Sequence, residues 1–194
     1  MTQTCNFMKI KSLWKGMTIT GIMMMTCFSF LASANEQTVG IGERFGGGIV
    51  FYIFQPGEQG YVEGEQHGLI VALEDQGRGV EWSNVTTASV SGTTTGLGAG
   101  RDNTTLIISQ DGHQNSAAKL CEDYVFEGYS DWYLPSSEEL DKLYSNKGLV
   151  YGFSDGHWSS SESGPGDVWA NLDCGVSRYH MKMIGIHVRA IRSF

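Results

Sequence analysis

The sequence predicts an α+β protein, in which two main helices pack on a mostly antiparallel twisted sheet with long loops. Runs rich in β-branched and aromatic residues occur early and late in the chain, and helical spacing of apolar residues is confined to the middle. A long stretch rich in Ser, Thr and Gly separates the first strands from the helices. Helices that are segregated from strands in this way are typical of α+β proteins.

The N-terminal segment has the features of a secretory signal. Basic residues up to Lys15 precede a mostly apolar stretch from Gly16 to Leu31, and Ala32-Ser33-Ala34 supplies the small residues that a signal peptidase requires. The apolar stretch is shorter than the roughly 20 residues of a membrane-spanning helix. We therefore expect residues 1–34 to be removed and the mature chain to be periplasmic, attached to the cell surface or secreted, with no membrane span.

The mature chain is expected to be a short lead, residues 35–44, followed by a single domain, residues 45–194. A domain of this size can bury a hydrophobic core of its own. The whole chain carries a net charge of −8, and loss of the three lysines in the signal takes it to −11. This charge disfavours nucleic acid as a partner.

Cys121 and Cys174 are the two cysteines of the mature chain. In an exported protein, two cysteines most simply form one disulfide, which would stabilise the fold by roughly 4 kcal/mol in the chain-entropy description. The alternatives are a reactive thiol or a metal ligand, although the sequence has no CxxC pair and no histidine at ligand spacing.

The first third of the domain predicts three strands and then a loop. Residues 49–54 and 69–73 are β-branched and aromatic runs, and residues 80–82 form a shorter third run. Residues 86–105 contain almost no large apolar side chain, which predicts a long surface loop of the kind that often carries function.

The middle of the chain predicts helices. A short helix is expected from Thr104 to Ser109, and a longer one from Ser116 to Phe126. The buried face of the longer helix is predicted to consist of apolar residues at helical spacing: Ala117, Leu120, Cys121, Tyr124 and Val125.

The stretch GYSDWYLPSSEEL, residues 128–140, is interpreted as a structural signature of the fold. Ser136 and Glu139 have the spacing of a capping box, which begins a helix that ends near Gly148. Gly128 is expected to end the preceding helix, and Pro135 to hold the residue before it extended. Asp131 and Trp132 are expected to anchor the connection between the two helices.

The last third predicts four strands, at residues 158–160, 168–172, 179–183 and 188–194. Arg189 and Arg192 lie three residues apart on the last strand and therefore on opposite faces. We expect one of them to face inward and pair with a carboxylate such as Asp131, and the other to be solvated.

The sequence contains no coherent catalytic or cofactor-binding constellation, so neither catalytic residues nor a cofactor or metal ligand is assigned. Its glycine-rich stretches lack the P-loop and Rossmann spacings, and there is no G-x-S-x-G elbow. Calcium is the exception that stays open, because carboxylates in the Gly/Ser-rich segment 153–175 could supply oxygen ligands. These are Asp155, Glu162, Asp167 and Asp173, and the alternative is that they are simply solvated.

Two tryptophans and two acidic residues are candidate ligand-binding residues: Trp158, Trp169, Asp155 and Asp167. An aromatic face packs well against the apolar face of a pyranose, and a carboxylate can accept hydrogen bonds from sugar hydroxyls. The alternative is that the aromatic rings belong to the core, which the strand context of Trp158 favours.

Six segments together resemble a known bacterial family. They are GGGIVFYI, GLIVALED, NTTLII, SAAKLCEDYVFEGYSDWYLPSSEELDKLY, WSSSES and VRAIRSF. Over residues 45–194 they are similar to the C-terminal domain family of the Legionella collagen-like adhesin, a domain of unknown function. The resemblance implies a C-type-lectin-like fold, in which the first and last strands pair and long loops project from the sheet.

The same resemblance implies a distant relation to the formylglycine-generating-enzyme group. That group uses cysteines near its C-terminus, and residues 177–194 contain none. We therefore expect an exported, non-enzymatic, adhesin-like recognition module that binds a glycan or an envelope or host protein through loops 84–103 and 153–176. The alternatives are an exported enzyme distantly related to that group and a self-assembling component of the envelope, and the sequence leaves the oligomeric state open.

Overall fold

A computed structural model describes residues 38–153, 156–172 and 176–194. The predicted signal, as well as Asp155, Asp173 and Cys174, lies outside the described residues. The described chain contains three α-helices and two β-sheets, which confirms the predicted α+β class. The sequence predicts one sheet, and the described chain has two.

The first sheet has four antiparallel strands in the order β1-β2-β3-β9. The runs predicted to be the first two long strands form β2 and β3, and β3 is buried on both faces. Strand β2 begins at a glycine because a Cβ at Gly48 would lie 2.1 Å from the carbonyl oxygen of Val71. The strands are β1 (Arg44–Phe45), β2 (Gly48–Ile53), β3 (Gly68–Val71) and β9 (Ile191–Ser193).

The second sheet has five strands in the order β4-β8-β5-β6-β7. The pair of β5 with β8 is parallel and the other three pairs are antiparallel, so this sheet is mixed. The strands are β4 (Gly77–Val80), β5 (His157–Gly164), β6 (Asp167–Leu172), β7 (Val176–Met181) and β8 (Ile186–Val188).

The predicted third strand, residues 80–82, lies a few residues earlier, at β4. Trp82 lies just after this strand, where its backbone N–H donates to the carbonyl of Lys182 at 2.9 Å. Its ring is fully buried in the core, and Nε1 donates a hydrogen bond to the carbonyl of Ser159 at 2.8 Å.

The predicted C-terminal strand, residues 188–194, is two strands that belong to different sheets. The chain leaves the second sheet after β8, turns at Arg189 and Ala190, and enters the first sheet as β9. The turn is fixed because the N–H of Ala72 donates to the carbonyl of Ala190 at 3.0 Å. Strand β9 pairs with β3, so the expected pairing of the first and last strands is wrong.

Three helices connect the strands of the two sheets. Helix α1 (Gly100–Ile108) begins inside the predicted loop, and α3 (Ser137–Ser145) begins where the capping box predicts. The N–H of Ser136 donates to Glu139 at 2.7 Å, and Ser136 Oγ accepts from the N–H of Glu139 at 3.3 Å, which confirms the box. A short 3₁₀ helix, Lys147–Leu149, follows α3.

Helix α2 (Ala117–Glu122) is shorter than predicted. Two members of its expected buried face, Leu120 and Val125, are exposed. Val125 lies beyond the end of the helix, whereas Leu120 lies within it on the outer face. Gly128 does not end this helix. With Glu127 it forms a two-residue hairpin turn with φ of 49° and 85°, closed by hydrogen bonds between Phe126 and Tyr129.

Two hydrophobic clusters share β3. Ile70 belongs to the first cluster, which also contains Trp82 and Trp158, whereas Leu69 and Val71 belong to the second, which packs against α3. Within the described part of the chain, no helix has the length and hydropathy needed to cross a bilayer.

Candidate functional site

The structure separates the predicted ligand-binding residues. Trp158 is fully buried in the first cluster, and its Nε1 donates to the carbonyl of Val80 at 2.7 Å, so this ring is a core residue and is not available to a ligand. Trp169 is only partly buried and Asp167 is exposed, both on β6. Asp155 lies outside the described residues.

Trp169 and Asp167 lie on the exposed face of the β6–β7 hairpin. Alternate residues of a strand point to opposite faces, so Asp167 and Trp169 share one face, while Val168 and Ala170 are buried on the other. Across the hairpin, Trp169 pairs with Tyr179, and Asp167 pairs with Met181.

These four residues, Asp167, Trp169, Tyr179 and Met181, form a surface that we name the hairpin surface. The ring centroids of Trp169 and Tyr179 lie 4.2 Å apart with an interplanar angle of 44°. The Tyr179 side chain is 62% exposed, and Met181 is also largely exposed. The surface therefore combines two aromatic rings, a thioether and a carboxylate in contact with solvent.

The hairpin surface ends where α3 covers the sheet. The next residue of that face, Asn171, is fully buried, and its Nδ2 donates to Asp141 of α3 at 3.0 Å. The Tyr144 hydroxyl donates to the carbonyl of Asn171 at 2.9 Å. Helix α3 thus fixes the base of the hairpin. The outer half of the hairpin, which carries the hairpin surface, is not covered by α3.

No functional role was predicted for Tyr179 and Met181. A usable signal is present, because residues 179, 181 and 183 are Tyr, Met and Met with polar residues between them. Such alternation predicts one apolar face of a strand, but it does not say whether that face is buried. In the structure all three side chains are exposed.

The signature residues of the stretch 128–140 occupy structural positions. Trp132 is buried, and Asp131 forms a two-pronged ion pair with Arg192, with distances of 2.7 Å to Nε and 3.0 Å to Nη2. Burial alone would raise the pKa of Asp131, but Arg192 lowers it below its ordinary value. The predicted pairing of one C-terminal arginine with Asp131 is therefore present.

The expectation that the other arginine is solvated is wrong. Arg189 is buried, because the break between β8 and β9 turns it inward, and its Nε donates to Asp75 at 2.7 Å. His157 Nε2 and His187 Nδ1 lie 3.1 and 3.2 Å from the same carboxylate. We name these four residues the Asp75 cluster.

The acidic residues that suggested calcium are not assembled into a site in the described ranges. Asp155 and Asp173 lie outside those ranges, and Glu162 is engaged with the buried Lys182 and with the N–H of Val90 at 2.9 Å. Among the described residues, no group of three or more His, Cys, Asp and Glu side chains is placed to hold a metal ion.

Cys121 is fully buried and forms no disulfide with a described residue. Burial raises the pKa of its thiol far above the ordinary value, so a reactive thiolate is disfavoured at this position. Because Cys174 lies outside the described residues, the disulfide stays a prediction.

The fold and the hairpin surface define an α+β protein with two sheets and an exposed aromatic patch. No protein-family model matches the chain, and no curated protein matches it. Among solved structures, the chain is similar to a fimbrial protein from Bacteroides ovatus ATCC 8483, with 15% identity and a TM-score of 0.47. The match covers 74% of this chain but only 43% of the fimbrial protein, and it is too loose to assign a fold or a function.

Proposed function

We propose that the chain is an exported, non-enzymatic recognition module of C-type-lectin-like fold, and that it binds a glycan through the hairpin surface. The observation that carries the proposal is the contact of the exposed Tyr179 with the partly exposed Trp169, whose ring centroids lie 4.2 Å apart. Large apolar groups that face solvent as a contiguous patch typically mark an interaction site.

The chemistry of the hairpin surface suits a sugar better than an extended apolar ligand. The faces of aromatic rings carry negative charge density, and they attract the weakly positive C–H groups on the apolar face of a pyranose. Asp167, which lies two residues from Trp169 on the same face, can accept hydrogen bonds from sugar hydroxyls. The rings of Trp169 and Tyr179 pack against the apolar face of the sugar, and the carboxylate of Asp167 sets the orientation of the sugar.

The hairpin surface is also held in a fixed position before a ligand arrives. Strand β6 is paired on both sides, with β5 and β7, and its opposite face is buried. A rigid platform loses little conformational entropy on binding, which favours affinity for a small and weakly interacting ligand.

A glycan array, followed by calorimetry on the glycans that bind, tests the proposal. Trp169→Ala is expected to weaken binding at least about tenfold, because aromatic residues dominate such contacts, and Tyr179→Ala is expected to weaken it too. Tyr151→Ala is the matched control, since Tyr151 is 96% exposed but lies outside the hairpin surface. It should bind like the unmodified chain.

Two outcomes would contradict the proposal. If the array and a pull-down from envelope extract both stay empty with folded protein, the recognition function is wrong. If a glycan binds but Trp169→Ala leaves its affinity unchanged, the assignment to the hairpin surface is wrong.

A further inference from the structure

A cavity of about 290 Å³ lies away from the hairpin surface, beside the first turn of α1. Phe54 and Tyr133 provide aromatic walls, and Gln59, Arg101, Asp102 and Ser193 provide polar groups. The volume lies near the lower end of the range of small-molecule sites, which suits a ligand no larger than a single amino acid. Apolar walls with a few polar groups are typical of such sites.

Arg101 shares the carboxylate of Asp131 with Arg192. Its guanidinium lies 4.8 Å from the centroid of the Tyr133 ring and 3.6 Å from Asp131 Oδ2. Both oxygens of Asp131 are already held by Arg192 at 2.7 and 3.0 Å. One carboxylate thus pairs with two guanidinium groups, so Asp131, Arg101 and Arg192 together carry one positive charge.

Arg101 is the more exposed of the two arginines and is the one that a ligand can reach. The side chain of Arg101 is 46% exposed, whereas that of Arg192 is 10% exposed. Contact with the Tyr133 ring restricts where the Arg101 guanidinium can lie, yet its planar set of donors can still bind a ligand carboxylate through two parallel hydrogen bonds.

Asp102 brings the opposite charge to the same cavity. It follows Arg101 directly in the first turn of α1 and is exposed. A cavity lined by one positively and one negatively charged side chain matches a ligand that carries both charges close together. The aromatic wall at Phe54 then offers a contact for an apolar group of that ligand.

We propose that this cavity binds a free α-amino acid with an apolar or aromatic side chain. Arg101 receives the α-carboxylate, Asp102 receives the α-ammonium group, and the side chain packs against Phe54. This binding activity is separate from the glycan recognition proposed above, because the two surfaces share no residue.

Calorimetric titration of the purified chain with L-phenylalanine and L-leucine tests the proposal. The matched probes are N-acetyl-L-phenylalanine, which lacks the ammonium group, and L-phenylalaninamide, which lacks the carboxylate. We expect saturable binding of at least one amino acid, and binding at least about tenfold weaker for each derivative of L-phenylalanine.

Two variants assign the charges. Arg101→Gln should weaken amino-acid binding at least about tenfold and should remove the difference between L-phenylalanine and its amide. Asp102→Asn should remove the difference between L-phenylalanine and its N-acetyl derivative. Arg78→Gln is the control, because Arg78 is 73% exposed and does not line this cavity.

The proposal is overturned if neither amino acid gives saturable binding up to about 10 mM, an affinity too weak for a specific site. It is equally overturned if the derivatives bind as well as the amino acid, or if Arg101→Gln leaves the affinity unchanged. Thermal unfolding of each variant tests whether a lost affinity reflects the cavity or a lost fold. Both substituted side chains are exposed, so the fold is expected to stay intact.

Discussion

Glu139 shows how one residue can serve the fold at a cost that depends on pH. Its carboxylate accepts hydrogen bonds from the N–H groups of Ser136 and Gly98, at 2.7 and 3.1 Å, and so joins α3 to the loop before α1. The side chain is also fully buried. Burial raises the pKa of Glu139 to about 7, although the hydrogen bonds oppose this rise.

The raised pKa of Glu139 predicts that the fold loses stability as the pH rises. A carboxyl group with a higher pKa in the folded chain than in the unfolded chain contributes stability that is fully present below about pH 4.5 and is lost as the pH rises through about 7. This one group should lower the free energy of unfolding by roughly 3 kcal/mol across that range.

Urea unfolding at pH 5 and pH 8 measures this effect, and Glu139→Gln should reduce the difference between the two values. Glu138→Gln is the control, because Glu138 is the exposed neighbour. A pH dependence that Glu139→Gln leaves unchanged would show that the buried carboxyl group is not its source.

The two C-terminal arginines show what the sequence can predict at the residue scale. A pairing of one of the two arginines with Asp131 was predicted, and the structure shows that this arginine is Arg192. The partner of Arg189 was not predicted, because Asp75 lies 114 residues away and no local pattern marks it. Trp169 and Asp167 were named from the sequence and lie at the surface, and the strand context of Trp158 favoured the buried position that the structure shows.

Among the elements, the connection between α2 and α3 depends on Trp132. Its ring is buried in the first cluster, packs edge-to-face against Tyr124 with centroids 5.3 Å apart, and donates from Nε1 to the carbonyl of Tyr129 at 3.1 Å. The ring therefore fixes the two-residue turn between the helices to the core.

Trp132→Ala is expected to lower the free energy of unfolding by about 3–5 kcal/mol, because it removes a buried aromatic side chain and leaves a cavity. Denaturant unfolding measures this loss. Trp169→Ala offers a comparison with the same chemical change on the surface, and it should cost much less. A Trp132→Ala variant as stable as the unmodified chain, but defective in ligand binding, would make Trp132 a binding residue instead.

Elements that are specified locally were predicted better than those that depend on distant partners. The capping box at Ser136 lies within four residues of sequence, and α3 begins where it predicts. Residues 188–194 were predicted to form one strand, yet the structure divides them at Arg189 and Ala190. That division depends on β3 and on Asp75, which local propensity does not report.

At the scale of the whole molecule, the Asp75 cluster connects the two sheets. Asp75 follows β3 of the first sheet, His157 and His187 belong to the second sheet, and Arg189 lies where the chain passes between them. Burial alone would raise the pKa of Asp75, but hydrogen bonds from His157 and Arg189 and the charge of Arg189 lower it below its ordinary value.

Asp75→Asn is expected to destabilise the whole fold by about 3–5 kcal/mol, since it leaves the buried Arg189 guanidinium without a counter-charge. Chemical denaturation at pH 7 measures the change, and Asp111→Asn is a control at an exposed position. Because the pKa of Asp75 is lowered by folding, the stability from its charge is present above its unfolded pKa, near 4, and is lost as the pH falls below it. A variant with unchanged stability would contradict a connecting role for the cluster.

The α+β class was predictable because the periodicity of each segment is local. The division into two sheets was not, because sheet membership is decided by pairings such as that of β3 with β9, more than a hundred residues apart in sequence. For the same reason, no structural role was predicted for Asp75, His157 and His187, because each finds its partners far away in sequence.

The position of β9 also sets the order of events during synthesis. Strand β3 obtains its second neighbour from Ile191–Ser193, which are made after every strand of the second sheet. A nascent chain therefore has every strand of the second sheet before it can complete the first. Pairings between distant segments are slow to form, so β3 lacks this neighbour until β9 has been made.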